Sequence, residues 1–149
     1  MSRYAPLVFF LLLISAGGVV AAATHLSYST PNSLHWVAGT GSSKGSTSAV
    51  LTGDPNKTGF AVIRVKMPDG YSNPPHYHAH PEYITVMQGT LLFGTGDKID
   101  KSKARVLPAG SFISVPAGLH HWSMAKGETV EEVAGDGPQT NLPVKHGSM

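Results

Sequence analysis

Side chains that can bind metals are concentrated in the segment Gly70–Gly89. Its four candidate ligands are all even-numbered: His76, His78, His80 and Glu82. Alternate side chains of an extended strand project from the same face, so two or three imidazoles and a carboxylate can converge on one point. Neutral imidazole and carboxylate are ligands for a borderline divalent transition metal. The residue types alone therefore predict a metal site carried by a strand and the loop that enters it.

A second segment, Gly110–His121, supplies a further imidazole after a turn and from a different strand. It contains Gly110, Pro116 and Gly118 at intervals typical of turns, and it ends in two adjacent histidines. Because neighbouring side chains of a strand point to opposite faces, only one of His120 and His121 is expected to reach the interior.

The two spacings together resemble the cupin superfamily. Its first motif, G-x5-HxH-x3-E-x6-G, is complete between Gly70 and Gly89. Its second, G-x5-P-x-G-x2-H-x3-N, is met except at the last position, where Ala125 replaces asparagine. The neighbouring stretches GDPNKTGFAVIRVKMPDG and PAGLHHWSM are similar to one branch of small single-domain bacterial cupins. The resemblance covers the chain from about Gly53 to Ala134.

The resemblance implies one divalent transition metal per chain. Its expected ligands are His76, His78, Glu82 and His121. Iron, manganese, nickel, cobalt, copper and zinc all accept such ligands, so the metal's identity stays open. The motif leaves the position of His80 free, which places His80 at the rim of the site, and His120 is expected to pack or hydrogen-bond on the opposite face. The remaining histidines, His25, His35 and His146, are expected at the surface.

Composition and strand patterning predict an all-β fold. The chain has 17 glycines and 11 prolines, which separate short apolar segments as in sandwiches and barrels. The cupin resemblance narrows this to a double-stranded β-helix, the small jelly roll also called a cupin barrel. The predicted strands are 34–38, 49–52, 60–67, 82–88, 90–93, 104–107, 111–115, 120–124 and 129–134. Strands 82–88 and 90–93 are expected to form a hairpin around Gly89, and 94–103 a surface loop.

The N-terminal segment 1–23 is predicted to be a secretory signal peptide. Arg3 gives it a positive start, Leu7–Ile14 is a compact apolar run, and Ala21–Ala23 offers small residues for cleavage. An uncleaved membrane anchor is the alternative, because Ala5–Ala23 contains no charge. Residues 24–48 are expected to form an arm and loop, 49–140 the barrel, and 141–149 a tail. The mature protein would be exported, either periplasmic or secreted.

Charge and cysteine content exclude several classes of function. Removal of the signal segment takes away one of the 11 basic residues and leaves ten against nine acidic ones. Such a balance gives no electrostatic support to nucleic-acid binding. No membrane association is expected after signal cleavage. The absence of cysteine excludes disulfides, thiolate metal sites and cysteine nucleophiles. A length of 149 residues fits one domain.

Three functions are consistent with this pattern. The first is a metal-dependent enzyme acting on a small molecule, with a dioxygenase preferred over an isomerase. The second is a non-catalytic cupin that binds or senses a small ligand, and the third is a barrel that the metal only stiffens. Fold alone does not choose among them.

The expected ligand is small, largely apolar and equipped with one or two chelating oxygens. Ile84 and Val86 are predicted to face inward, with Phe112 and Trp122 joining them in one of the two registers. Catechol-like, enol or β-dicarbonyl compounds fit such a pocket better than sugar phosphates. The resemblance also implies a homodimer formed through the outer face of a sheet, with apolar surface near Trp36 and Phe60.

Overall fold

A computed structural model describes residues 26–144, which form an all-β protein. The predictions for the signal segment, for His25 and for His146 lie outside these residues. Three single-turn 3-10 helices occur, at Pro31–Ser33, Gly41–Ser43 and Lys101–Lys103. The nine strands are β1 (Val37–Ala38), β2 (Thr47–Thr52), β3 (Gly59–Met67), β4 (Ser72–Tyr77), β5 (Glu82–Thr95), β6 (Arg105–Pro108), β7 (Phe112–Val115), β8 (His121–Gly137) and β9 (Leu142–Pro143).

Two long strands, β5 and β8, hold the curled sheet together. They pair antiparallel along most of their length, from Glu82 opposite Gly135 to Thr95 opposite His121. On its other side, the second half of β8 pairs with β3 and its first half with β4. The other side of β5 pairs with β7 and then with β6. The sheet thus curls on itself and encloses a jelly-roll interior, which confirms the predicted fold class.

The hairpin predicted around Gly89 is wrong, because β5 runs straight through this residue. Gly89 has a φ of 75°, and the β5–β8 register shifts on both sides of it. A Cβ at this position would lie 2.3 Å from the carbonyl oxygen of Glu128. The irregularity changes which side chains face inward: Ile84 and Val86 are buried before it, and Leu91 and Phe93 after it. Gly89 therefore marks a bulge that lets one strand serve both halves of the barrel.

The pairing also extends beyond several predicted strands. Segments 120–124 and 129–134 were predicted as separate strands, but residues 121–124 and 129–134 belong to the single strand β8. The loop predicted at 94–103 begins only after β5 ends at Thr95. In the segments predicted as arm and tail, β1 pairs with β2 and β9 pairs with β4. Strand β1 lies within the predicted strand 34–38, whereas β9 was not visible in the sequence because a two-residue strand carries no periodicity.

The apolar core lies between the two halves of the curled sheet. Its buried members are Met67, Ile84, Val86, Leu91, Phe93, Val115, Ala125 and Val133. Four strands supply most of them, so the core fixes β5 and β8 relative to β3 and β7 and thereby fixes the side chains that these strands carry into the interior. Within residues 26–144, no helix has the length and apolar character needed to cross a lipid bilayer.

Candidate metal centre

The three histidines of the two motifs arrive from separate but adjoining segments. His76 lies on β4 and His121 begins β8, and the two residues are direct antiparallel partners. His78 follows the end of β4, and Glu82 opens β5 after a bend at residues 79–80. The predicted strand and its adjoining loop are thus divided between β4, the loop after it and the start of β5, and His121 comes from a different strand, as expected. The residues converge because strand pairing brings β4 and β8 together while the bend turns the chain back into β5.

The imidazoles of His76, His78 and His121 form a compact buried cluster. One ring nitrogen from each lies within 4.8 Å of the others. Ring centroids are separated by 4.3 Å between His76 and His121, 5.0 Å between His76 and His78, and 5.5 Å between His78 and His121. Three imidazole nitrogens at this spacing could hold one metal ion.

Backbone carbonyls fix the orientation of all three rings. Nδ1 of His76 lies 2.7 Å from the carbonyl oxygen of Pro74. Nδ1 of His78 lies 3.0 Å from the oxygen of Thr140, and Nδ1 of His121 lies 2.9 Å from that of Leu119. A carbonyl accepts only from N–H, so each Nδ1 carries the proton and each Nε2 keeps its lone pair. Such carbonyl contacts are the usual support of metal-binding histidines.

The carboxylate of Glu82, the fourth predicted ligand, is not part of this group of three but lies against two of its rings. Its Oε2 lies 3.5 Å from Nε2 of His78 and 3.5 Å from Nε2 of His121. Within residues 26–144, this oxygen and Nε2 of His78 are buried without a hydrogen-bond partner. Buried polar atoms rarely remain unpaired in native proteins. A cation bound between these atoms would satisfy both.

The protonation states of His76 and Glu82 suit metal ligands rather than an ion pair between a protonated histidine and a carboxylate. Burial lowers the pKa of His76 to about 4, with the neighbouring imidazoles adding to the effect. Burial acts to raise the pKa of Glu82, but the nearby imidazoles, that of His121 foremost, leave it below its ordinary value. At neutral pH, His76 is therefore neutral and Glu82 is ionised, as metal binding requires.

The other two histidines of the motif region lie outside the cluster. His80 lines a narrow crevice together with His78 and Glu82, but its ring is not part of the group of three. His120 turns away from His121: its Nδ1 lies 2.6 Å from Oδ1 of Asp97, and its ring packs 5.1 Å from that of Tyr77. The predicted alternation between His120 and His121 is confirmed.

A cavity of about 120 Å³ lies beside the cluster in the barrel interior. Aliphatic side chains of Ile63, Val65, Met67 and Val133 form one part of its wall. The rest of the lining is polar: Ser43, Ser46, Tyr71, Asn73, His78, Glu82, Glu131, Gln139 and Asn141. The expectation of a largely apolar pocket is therefore wrong.

The residues predicted to wall the pocket lie elsewhere. Phe112 points outward and is 62% exposed. Trp122 is buried on the face opposite His121, where its indole packs against Gly94 so closely that a Cβ there would lie 2.1 Å from the ring. Ile84 and Val86 do face inward, but they belong to the core rather than to the cavity wall.

Glu131 is a buried acidic residue that the sequence analysis missed. It is only 8% exposed, and burial followed by repulsion from Glu82 raises its pKa to about 8. Its Oε2 has no hydrogen-bond partner among residues 26–144. A signal was present in the sequence, because Glu131 and Glu132 are consecutive in a core strand and alternation forces one of them inward.

Comparison with known proteins agrees with this geometry. Residues 29–141 match the family model described as domain of unknown function DUF4437. An 81-residue segment is 31% identical to germin-like protein subfamily 3 member 2 of Arabidopsis thaliana and covers 54% of this chain and 36% of that protein. A 78-residue segment is 37% identical to oxalate oxidase 1 of Hordeum vulgare and covers 50% of this chain and 39% of that protein. The chain thus spans well under half the length of these curated relatives.

Solved structures show the same fold at low sequence identity. KdgF from Halomonas sp. superposes with a TM-score of 0.61 at 18% identity, over 78% of this chain and 96% of that one. An RmlC-like cupin from Shewanella frigidimarina gives 0.59 at 15% identity, over 75% and 91%. The polyketide cyclase RemF from Streptomyces resistomycificus gives 0.64 at 18% identity, over 84% and 87%. The chain belongs to the DUF4437 family of the cupin superfamily.

Proposed function

We propose that this protein is a metal-dependent enzyme that uses dioxygen to oxidise a small, oxygen-bearing chelator. The observation that carries the proposal is the orientation of the three imidazoles. Each Nδ1 is held by a backbone carbonyl, so each Nε2 lone pair is available next to the unpaired Oε2 of Glu82. His76, His78, His121 and Glu82 would hold one divalent transition metal. Such a metal retains open positions at which dioxygen and a chelating substrate can meet.

The contribution of the protein chain is to keep these side chains fixed and dry. Phe93 stacks on the ring of His121 with centroids 5.3 Å apart, which closes one side of the cluster to water. The contacts of Nδ1 with the carbonyl oxygens of Pro74 and Leu119 hold the rings of His76 and His121 in place. The site is therefore organised before metal or substrate arrives.

The substrate class follows from the cavity and from one relative. The cavity volume of about 120 Å³ suits a molecule of a few heavy atoms. The relative in Hordeum vulgare is named an oxalate oxidase, and oxalate is a small chelator that would fit. Catechol and acetylacetone represent the aromatic and β-dicarbonyl alternatives. With catechol or acetylacetone, a dioxygenase would place both atoms of dioxygen in the organic product and need no further reductant. With oxalate, dioxygen would instead take two electrons and two protons and leave as hydrogen peroxide, while the oxalate carbon–carbon bond breaks to give two molecules of carbon dioxide.

Oxygen consumption by the metal-loaded protein tests the proposal. The purified protein is loaded separately with iron, manganese, nickel, cobalt, copper or zinc, and oxygen uptake is followed with oxalate, catechol and acetylacetone. We expect uptake with at least one pair of metal and substrate, and its loss in His121→Ala with retention in His120→Ala. Tight binding of a chelator without any turnover would instead establish a ligand-binding or sensing protein.

A metal-dependent isomerase is the second enzymatic candidate. It requires a base that takes a proton from the substrate, and Glu82 is the only ionised carboxylate among the described residues of the cluster. Glu82 is deprotonated at neutral pH and so can accept a proton, but its lowered pKa makes it a weak base. Product formation in the absence of dioxygen would favour the isomerase.

Export and dimerisation are further proposals. N-terminal sequencing of the protein from its native cell would show whether the predicted cleavage after the alanine triplet takes place. For the homodimer, Phe60 is 59% exposed on β3, whereas Trp36 is half-buried beneath the ammonium group of Lys66, 4.8 Å from its ring. A monomeric mass by light scattering over a tenfold range of concentration would exclude the dimer.

A further inference from the structure

Unpaired polar atoms are concentrated around the interior cavity. Five buried side-chain atoms have no hydrogen-bond partner among residues 26–144, and four of them belong to residues lining this cavity: His78, Glu82, Glu131 and Gln139. A bound metal accounts for the first two. Glu131 and Gln139 require another partner, because a buried polar atom without a hydrogen bond costs roughly 1–3 kcal/mol.

Glu131 sits in apolar surroundings within the sheet. Its direct neighbours across β8 are Val65 on β3 and Val86 on β5. No lysine or arginine is among the described residues that line the cavity, and the other acidic group there is Glu82. In the metal-free protein, an ionised carboxylate in this position would face another negative charge without a cationic side chain in the lining. In the loaded site, a divalent metal, the Glu82 carboxylate and an oxalate dianion would sum to a net negative charge, which also disfavours ionisation of Glu131. The carboxyl group of Glu131 is therefore neutral at neutral pH, and it carries an O–H that can donate a hydrogen bond.

Gln139 presents the complementary group. Its Nε2 donates to the carbonyl oxygens of Ala61 and Gly135, at 3.2 and 2.9 Å. Both amide hydrogens are thus in use, which fixes the side-chain amide and leaves Oε1 as a buried acceptor without a partner. The lining of the cavity therefore offers one free donor from Glu131 and one free acceptor from Gln139.

We propose that Glu131 contacts the ligand and donates its O–H to an oxygen of a small chelator on the side turned away from the metal. This inference rests on the proposed function, because the metal holds the other end of the molecule. The ligand class is a small carboxylate or dicarbonyl compound with an acceptor oxygen beyond its two chelating atoms. Oxalate has such oxygens, whereas both oxygens of acetylacetone are used in chelation.

Binding of two probes to three proteins tests the role of Glu131. Oxalate and acetylacetone are titrated by calorimetry into the metal-loaded wild type, Glu131→Leu and Glu131→Gln. Leucine fills similar space without a donor, and glutamine keeps an N–H donor. We expect Glu131→Leu to weaken oxalate binding about ten- to a hundredfold and to leave acetylacetone binding within about threefold. Glu131→Gln should restore most of the oxalate affinity.

Three outcomes would overturn the inference. Equal weakening of both probes by Glu131→Leu would show that the residue only shapes the cavity. Unchanged oxalate binding in Glu131→Leu would show that no hydrogen bond is made. Absence of oxalate binding to wild type that contains metal would show that such a ligand does not enter the cavity.

The measurements also separate this inference from the proposed function. Metal content, determined by elemental analysis of each protein, reports on the four ligands independently of Glu131. Selective loss of oxalate affinity in Glu131→Leu without oxygen uptake by wild type would support the inference and contradict the dioxygenase. Oxygen uptake with KM and kcat for oxalate unchanged in Glu131→Leu would support the oxygen-dependent enzyme and contradict the role of Glu131 in ligand binding.

Discussion

Strand β8 together with the residue that precedes it, His120, supplies two pairs of like residues whose members face opposite ways. At its start, His121 enters the buried cluster while His120 pairs with Asp97 nearer the surface. In its second half, Glu131 lines the interior cavity, whereas Glu132 accepts hydrogen bonds from Arg64 on the outer face. The chemistry within each pair is the same, and only strand alternation separates the two environments.

The difference between the inner and outer residues shows which positions lower the stability of the fold. The outer members have partners and lie partly in water: the His120 ring contacts Asp97, and Glu132 pairs with Arg64. The inner members are buried with polar atoms that the described part of the chain leaves unpaired or available. Residues that break the rules of burial are expected at functional sites. The interior face of β8 is therefore where ligand binding should be sought, and each prediction below compares an inner residue with its outer neighbour or isolates its charge.

The largest effect is expected from the histidine pair. His121→Ala should reduce metal content from about one ion per chain to near zero, because it removes a ligand, and His120→Ala should retain the metal. Since metal binds the folded state, loss of the site should also remove stabilisation of about 4 kcal/mol at a metal concentration 1,000 times the dissociation constant. Elemental analysis and thermal unfolding measure both quantities. Loss of metal in His120→Ala alone would mean that the register of β8 is shifted by one residue.

The second prediction concerns the pH dependence that the proton on Glu131 gives to the stability of the metal-free protein. Its ordinary pKa of 4.5 is raised to about 8 in the folded state. Between these values the folded protein holds a proton that the unfolded chain has released, so the free energy of unfolding falls as the pH rises. The slope is at most about 1.4 kcal/mol per pH unit.

Comparison with Glu131→Gln removes the contributions of other groups to this slope. His76 acts in the opposite direction, because its lowered pKa of about 4 makes stability rise with pH up to about 6.5. It acts equally in both proteins, so the difference between them belongs to Glu131. We expect Glu131→Gln to gain stability relative to wild type as the pH rises from 4.5 to 8, measured by urea unfolding. A constant difference across this range would show that Glu131 keeps an ordinary pKa.

Much of the fold and the candidate ligands were predictable from local spacing. Gly70 and the prolines mark turns with a short-range signal, and the motif spacing identified the three histidines that the structure brings together. The bulge at Gly89, the continuity of β8 and the contacts of β9 depend on pairing between distant segments. The cavity lining was missed for the same reason, because Gln139 and Tyr71 reach the interior from segments without periodicity.

A third, smaller effect is expected when Glu131 is replaced by an apolar residue at pH 5. At this pH its carboxyl is protonated in the folded state, so the cost that remains is that of a buried neutral group without a partner. Glu131→Leu should raise the free energy of unfolding of the metal-free protein by about 1–3 kcal/mol. Glu132→Leu, as the matched control, should not stabilise the protein. A decrease in stability for Glu131→Leu would indicate that Glu131 has a partner that its surroundings do not reveal.

The smallest effect is expected from the outer pair of Arg64 and Glu132. Nε of Arg64 lies 3.1 Å from Oε1 of Glu132, and both side chains are between a fifth and a third exposed, at 22% and 28%. Water screens such a pair, so its coupling energy should be about 0.2–1 kcal/mol and should shrink further in 1 M salt. A double-mutant cycle with Arg64→Met and Glu132→Gln measures this coupling. A coupling of several kcal/mol would mean that the outer face of β8 is as tightly constrained as the inner face, and the contrast between Glu131 and Glu132 would no longer point to the cavity.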